Sequence, residues 1–214
     1  MEATRILASR HGEPAWNEDT RIQGHLDIPL NATGLQQAQW LAQALAERDA
    51  VDAVYASDLS RAHATAQAIA GAMGLAVTAD PGLRERAFGN FQGRTFAEIE
   101  AEWPEHAQHW RQRSPHWVPP GGGESLVALR DRVLTTVHAL ASRHVGEQIV
   151  LVAHGGVMDV LYRAATRLDV QAPRTWQLHN PAVNRLLGTP EGLSLVGWAD
   201  TTHLEDRSRD ETTA

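Results

Sequence analysis

Five consecutive apolar residues, Ile149-Val150-Leu151-Val152-Ala153, leave a chain few options. A strand with aliphatic side chains on both faces must be covered on both, so it belongs at the centre of a sheet between helices. Shorter strand-like runs recur at 5–8, 53–56 and 75–77. Helical spacing fills the intervals. Leu35, Ala38, Ala42 and Leu45 follow a start at Thr33-Gly34. Ala62, Thr65, Ala66 and Ile69 follow a start at Ser57 or Ser60 and run to a stop at Gly71 or Gly74. Leu126, Leu129, Val133, Val137 and Leu140 form a third stripe, and Val160, Leu161 and Ala164 a fourth after Gly155-Gly156. Strands alternating with helices predict an α/β fold, a three-layer α/β/α sandwich. The late runs 182–187 and 193–196, split by Gly188-Thr189-Pro190-Glu191-Gly192, read as a hairpin closing one edge. The sheet is then mostly parallel and mixed, of about six strands with one antiparallel strand near the C-terminus.

The stretch 86–120 breaks this alternation and reads as a lid-like insertion at one end of the sheet. Trp103, Trp110 and Trp117 are seven apart, which would align them on a helix, but Pro104 and Pro115 interrupt it. The rings are expected to pack the insertion onto the body; a substrate-facing aromatic wall is the alternative. Residues 1–204 read as a single domain, and the polar, aperiodic tail 205–214 is expected to be disordered.

Composition excludes several classes. The 214 residues hold no apolar stretch of membrane-spanning length and no basic-then-apolar leader, so a cytoplasmic protein is expected. Without cysteine there is no disulfide, thiolate nucleophile or zinc–thiolate site. A formal charge of -7 argues against nucleic acid as a partner, although one pocket can be cationic within an acidic protein. A homodimer is compatible with all of this.

In a parallel α/β sheet, ligands bind outside the carboxyl ends of the strands. The first strand ends in Arg10-His11-Gly12. The second ends in Ser57-Asp58-Leu59-Ser60-Arg61-Ala62, which puts Arg61 in a helix's first turn, where a cation opposes the dipole unless an anion lies near. The central strand ends in Ala153-His154-Gly155-Gly156, and after the third comes Leu83-Arg84-Glu85-Arg86. Singly, each is ordinary: Arg10 and Arg61 could be surface ion pairs, His154 a buried structural histidine, Glu85 a charged turn. Together they suit phosphoryl transfer. Guanidiniums hold a phosphate by paired N–H donors, and a neutral imidazole can attack phosphorus. His106 and His109, three apart with no third ligand at hand, make no metal site. Gly121-Gly122-Gly123 lacks the Lys-Ser/Thr of a P-loop and reads as a hinge.

These motifs, in this order from Arg5 to about Trp198, resemble the histidine phosphatase superfamily, also called phosphoglycerate mutase-like. The resemblance rests on Arg10-His11-Gly12-Glu13 with Trp16-Asn17, on Ser57 to Ala62 with Thr65, and on Leu83, Glu85, Gly89 and Gly93. Gly123-Glu124-Ser125, Ala153 to Gly156 and Asn180 complete it. Pro14 departs, standing where Thr or Ser is common. The resemblance implies that His11 becomes a transient phosphohistidine and that Arg10, Arg61 and His154 surround the phosphoryl group. Asn17 and the backbone around Gln23 and Gly24 would add hydrogen bonds. Glu85 would give a proton to the leaving oxygen and then take one from water. Two guanidiniums and a partly protonated imidazole would neutralise the dianion, so no metal and no cofactor are expected. The substrate implied is a small phosphate ester. Arg86, Arg111 and Arg113 could grip a second anionic group on it, or the tryptophans could stack on a ring. A phosphatase is favoured over a cofactor-dependent phosphoglycerate mutase, because the long stretch mutases carry before Gly123-Glu124-Ser125 is missing. A non-catalytic phosphate-binding module would lack His11, Glu85 or His154, and all three are present.

Overall fold

The computed structural model describes residues 2–16 and 20–204; Asn17 and the 205–214 tail lie outside the described residues. Six strands form one sheet: β1 (Thr4–Arg10), β2 (Ala53–Ala56), β3 (Val77–Ala79), β4 (Gln148–Ala153), β5 (Val183–Thr189) and β6 (Gly192–Asp200). Their order is β3-β2-β4-β1-β5-β6. Strands β1 to β4 pair in parallel, while β5 pairs antiparallel with both β1 and β6, so β5 alone runs against the others. The expected hairpin is present and so is the single reversed strand.

Every residue of β4 is buried, and its alternation divides the core. Ile149, Leu151 and Ala153 face α5 (Leu126–Ser142) and α6 (Gly155–Thr166), among Val133, Val137 and Leu161. Val150 and Val152 face α1 (Ala32–Arg48) and α2 (Ser60–Met73), among Leu41, Leu45, Ala62 and Ile69. Among the described residues no helix is long and apolar enough to cross a membrane.

Local chemistry sets the element ends. Asn31 caps α1, its side chain accepting from Gly34 N at 2.7 Å. Gly74 ends α2 in the left-handed conformation (φ 67°), and Leu75 N turns back to Ala70 O at 2.9 Å. Leu75 is therefore spent on the cap, and β3 begins two residues later than its apolar run suggests.

The 86–120 stretch holds two short helices, α3 (Phe96–Glu102) and α4 (Pro104–Arg111), with Pro104 in the first turn of α4. The rings of Trp103, Trp110 and Trp117 gather round the fully buried Phe91 at 5.5, 5.9 and 5.9 Å. With Ile99 and Ala107 they make a small core separate from the two sheet faces. The tryptophans thus pack the insertion chiefly upon itself, not onto the sheet. The triple glycine is a packed turn rather than an open hinge: a Cβ on Gly121 (φ 78°) would fall 2.0 Å from Asn90 Oδ1.

Candidate active site

The register of the two central strands assembles the site. Arg10 lies opposite Ala153, so the residues that follow, His11 and His154, emerge side by side with ring centroids 5.1 Å apart. His11 N donates to Ala153 O at 3.0 Å, and Asn180 Nδ2 donates to His11 O at 2.6 Å, which fixes the backbone at the strand end.

The imidazole of His11 is buried, with Nδ1 2.6 Å from Gly12 O. A carbonyl oxygen can only accept, so Nδ1 carries the hydrogen and Nε2 carries the lone pair. Burial, then the charges of Arg10 and Arg61, push the His11 pKa well below its ordinary value. His11 is thus a neutral imidazole of defined tautomer. Gly12 serves packing more than access to a ligand: a Cβ there would meet Gly34 O, in the first turn of α1, at 2.4 Å.

Arg61 is fully buried and pinned to the loop after β1, donating to Leu26 O at 2.9 Å and Gly24 O at 2.8 Å. Arg10 donates through Nη1 to Leu178 O at 2.8 Å. Burial lowers the pKa of both, and the Glu85 charge opposes it. Each keeps its Nε–H buried and without a protein partner, as are both ring nitrogens of His154. Buried polar atoms are rarely left unpaired, so this set is arranged for a ligand that accepts hydrogen bonds. His154 is fully buried, and desolvation followed by His11, Arg61 and Arg10 pushes its pKa well down. In the free site the protein's own groups thus favour the neutral imidazole of His154, and an arriving dianion would act the other way.

Glu85 faces this group. Both carboxylate oxygens accept from Gly156 N at 3.1 Å, at the start of α6, and Oε1 accepts from Arg86 N at 2.7 Å. Its backbone carbonyl is held by His25 Nε2 at 2.7 Å and Arg132 Nη2 at 3.3 Å. Arg132 also forks onto Glu124 at 2.9 and 2.7 Å. Neither His25 nor Arg132 stands out in the sequence as a site residue. The one signal for His25 is its place beside Gly24, while Arg132, in the charged run Arg130-Asp131-Arg132 and off the apolar stripe, carries none.

Arg10, His11, Gln23, Gly24, Arg61 and Glu85 line a cavity of about 190 Å³, with Arg21 and Ile22 at its side. Phe88 and Trp110, stacked at 5.0 Å, separate it from a larger cleft of about 460 Å³ that shares Arg10 and Glu85. Arg86 and Arg113 line that cleft, as expected. Burial lowers the Arg86 pKa to about 10, so it remains a cation at neutral pH. Arg111 does not reach either cavity: it is exposed, paired with Glu100 and set over the Phe96 ring, because it follows Trp110 onto the outer side of α4. Sequence reasoning missed Asp159, Arg163 and Arg174 in the cleft wall.

His106 and His109 both serve Trp117: His106 Nδ1 accepts its indole N–H at 3.1 Å and His109 stacks on its ring. Among the described residues no three His, Cys, Asp or Glu side chains converge as metal ligands would.

The model of the histidine phosphatase superfamily (branch 1) matches residues 6–201. A phosphoglycerate mutase-like protein 4 of Arabidopsis thaliana is 39% identical over 96% of this chain and 89% of its own length. A metal-independent phosphoserine phosphatase of the same plant is 36% identical over 95% of this chain and 84% of its own. Among solved structures, a mycobacterial glucosyl-3-phosphoglycerate phosphatase in complex with VO3 superposes with a TM-score of 0.82 at 33% identity, covering 92% of this chain and 99% of that one.

Proposed function

We propose that this chain, which belongs to the histidine phosphatase superfamily, hydrolyses a small phosphate monoester without a metal, through a phosphohistidine on His11. The observation that carries this is the His11 tautomer. With Nδ1–H spent on Gly12 O, the lone pair sits on Nε2 beside the unpaired N–H groups of Arg10 and Arg61.

In the first step Nε2 bonds to phosphorus as the ester P–O bond breaks. Arg10, Arg61 and His154 carry the three non-bridging oxygens, and Glu85 passes its proton to the departing alkoxide. In the second, Glu85 takes a proton from water, the oxygen attacks phosphorus, and the P–N bond breaks to free His11 and inorganic phosphate. Buried guanidiniums supply the positive charge that a metal supplies elsewhere, and the name of the metal-independent Arabidopsis relative supports the same reading. Residues 86–120 act as a lid in this scheme, contributing Arg86, Phe88, Trp110 and Arg113 to the leaving-group side. The absence of cysteine suits a cytoplasmic location. Arg111, turned outward and paired with Glu100, takes no part in this scheme.

The test is hydrolysis of p-nitrophenyl phosphate in excess chelator, with quenched enzyme assayed for acid-labile, base-stable phosphate on histidine. His11→Ala should lose at least about 10³-fold in rate and all trapped phosphate. Chelator-sensitive turnover, or an active His11→Ala, would refute the scheme.

A further inference from the structure

Arg132, in the second turn of α5, commits its whole guanidinium to the loop that carries Glu85. Nη1 donates to Gly82 O at 2.9 Å and to Arg84 O at 3.0 Å, and Nη2 donates to Glu85 O at 3.3 Å. Nε and Nη2 also donate to the two carboxylate oxygens of Glu124, at 2.9 and 2.7 Å. A guanidinium has five N–H groups in a fixed plane, and here five acceptors meet them.

The main chain of Glu124 holds the residues on the other side of Glu85. Arg86 Nε donates to Glu124 O at 2.7 Å, and Glu124 N donates to Ala87 O at 2.8 Å. Residues 82, 84 and 85 thus hang from Arg132, residues 86 and 87 from Glu124, and the Arg132–Glu124 ion pair closes the ring between them. Glu85 stands in the middle of that ring. Residues 84–88 belong to neither helix nor strand, so no backbone ladder sets the position of its Cα. The 86–120 insertion leaves just after Glu85 and returns through Gly121-Gly122-Gly123 to Glu124, so the same ring fastens both ends of the insertion to α5. Neither Arg132 nor Glu124 lines the two cavities, which leaves the substrate outside their reach.

Building on the phosphatase reading above, we propose that Arg132, locked by Glu124, is a positioning residue for proton transfer by Glu85. It sets the Glu85 backbone, and with it the point from which the carboxyl reaches the leaving oxygen. The carboxylate end is held separately, by Gly156 N and Arg86 N. The role is specific to arginine: an ammonium has three donors and no plane, and cannot serve three carbonyls and both oxygens of a carboxylate at once.

The experiment compares kcat/KM on two kinds of ester. Phosphoserine and glycerol 3-phosphate are alkyl phosphates whose alkoxides must be protonated as they leave, whereas the leaving group of p-nitrophenyl phosphate needs no proton. Glu85→Gln is the reference, with a loss of about 10²- to 10⁴-fold on the alkyl esters and far less on the aryl one. Arg132→Lys should cost about 10²-fold on the alkyl esters and less than about fivefold on p-nitrophenyl phosphate. Added to Glu85→Gln, it should lower the alkyl rate by less than about threefold more, because nothing remains for it to position. Should Arg132→Lys fail to fold, Glu124→Gln decides: it keeps the main-chain bonds to Arg86 and Ala87, and should show the same preference for the alkyl esters with a loss of about tenfold. Wild-type kcat/KM, a loss equal on both kinds of ester, or a loss that multiplies in full with that of Glu85→Gln overturns the positioning role and leaves the chemistry standing. A Glu85→Gln enzyme that loses no more on alkyl than on aryl esters overturns the proton-donor assignment, and the role of Arg132 with it.

Discussion

Two adjacent glycines at the start of α6 should respond in opposite ways to the same added methyl group. A Cβ on Gly156 would lie 2.2 Å from Glu85 Oε1, whereas a Cβ on Gly155 would have Arg10 Nε as its nearest neighbour at 3.6 Å, an ordinary contact. In Gly156→Ala the carboxylate must retreat from 2.2 Å towards 3.4 Å, a displacement of about 1 Å, and it forfeits the bonds from Gly156 N. The far end of a glutamate moves cheaply, so folding hardly suffers, and alanine favours the helix by up to about 1 kcal/mol. Catalysis pays instead: a misplacement of about 1 Å costs on the order of 10²-fold, and a general acid is worth about 10²- to 10⁴-fold. Gly156→Ala should therefore lose about 10²- to 10³-fold in kcat/KM, which reports formation of the phosphoenzyme, on an alkyl phosphate, with Tm unchanged or raised. The loss should be much smaller on p-nitrophenyl phosphate, whose leaving group departs without a proton. Gly155→Ala should stay within about fivefold of the wild type on both, because its methyl meets only ordinary contacts. Steady-state kinetics with the two ester types, beside thermal melts, provide the measurement. An equal loss of kcat/KM on both esters, or a kcat/KM within about threefold of wild type on the alkyl ester, would refute Glu85 as the proton donor; a fall in kcat shared by both esters reports only its second role, on the attacking water.

Three further outcomes are expected. His11 and His154 have folded-state pKa values pushed below 6.5. Below pH 6.5 the unfolded chain therefore binds protons that the folded one refuses, and stability falls on acidification by up to about 1.4 kcal/mol per pH unit for each histidine until its folded pKa is reached. Urea melts from pH 7.5 to 5 check this, and a flat profile would contradict the assigned burial. His25→Ala frees the Glu85 carbonyl from its 2.7 Å bond and should cut kcat about tenfold on alkyl esters with KM nearly unchanged; a change confined to KM would show that His25 positions substrate instead. Phe91→Ala empties the centre of the tryptophan cluster and should cost about 3 to 5 kcal/mol. Amide exchange should show that loss concentrated in 86–120, with the central strands retaining their protection.

The sheet was legible because hydrophobic period is a local property: 149–153 reads as a buried central strand, and a buried central strand it is. The chemistry at the strand ends was legible for the same reason, since His154 follows directly on an apolar run, Arg10 and His11 follow another after a single serine, and Arg61 lies in the first helical turn after a third. What stayed hidden depends on orientation. Arg111 and Arg113 look alike in sequence, but only Arg113, at φ 49° just past the end of α4, turns into the cleft. Asp159 and Arg163 were unreadable as site residues because they sit on an apolar helix, where charge looks like a surface break. His25 acts through a backbone carbonyl sixty residues away, and no sequence pattern encodes such a contact.

The Arg10–Ala153 register has a consequence for how activity is acquired. The two imidazoles come from positions 11 and 154, and the strands that deliver them become neighbours only when the chain closes a loop of more than half its length. Such a loop costs entropy before any contact repays it. If the proposed roles of His11 and His154 hold, no fragment ending before β4 should own even a rudimentary catalytic pair, and a nascent chain should stay inert until residue 154 has been made and seated. Turnover is thus a readout of global topology, and refolding followed by regained phosphatase activity should track the docking of β1 against β4 rather than the earlier formation of helices.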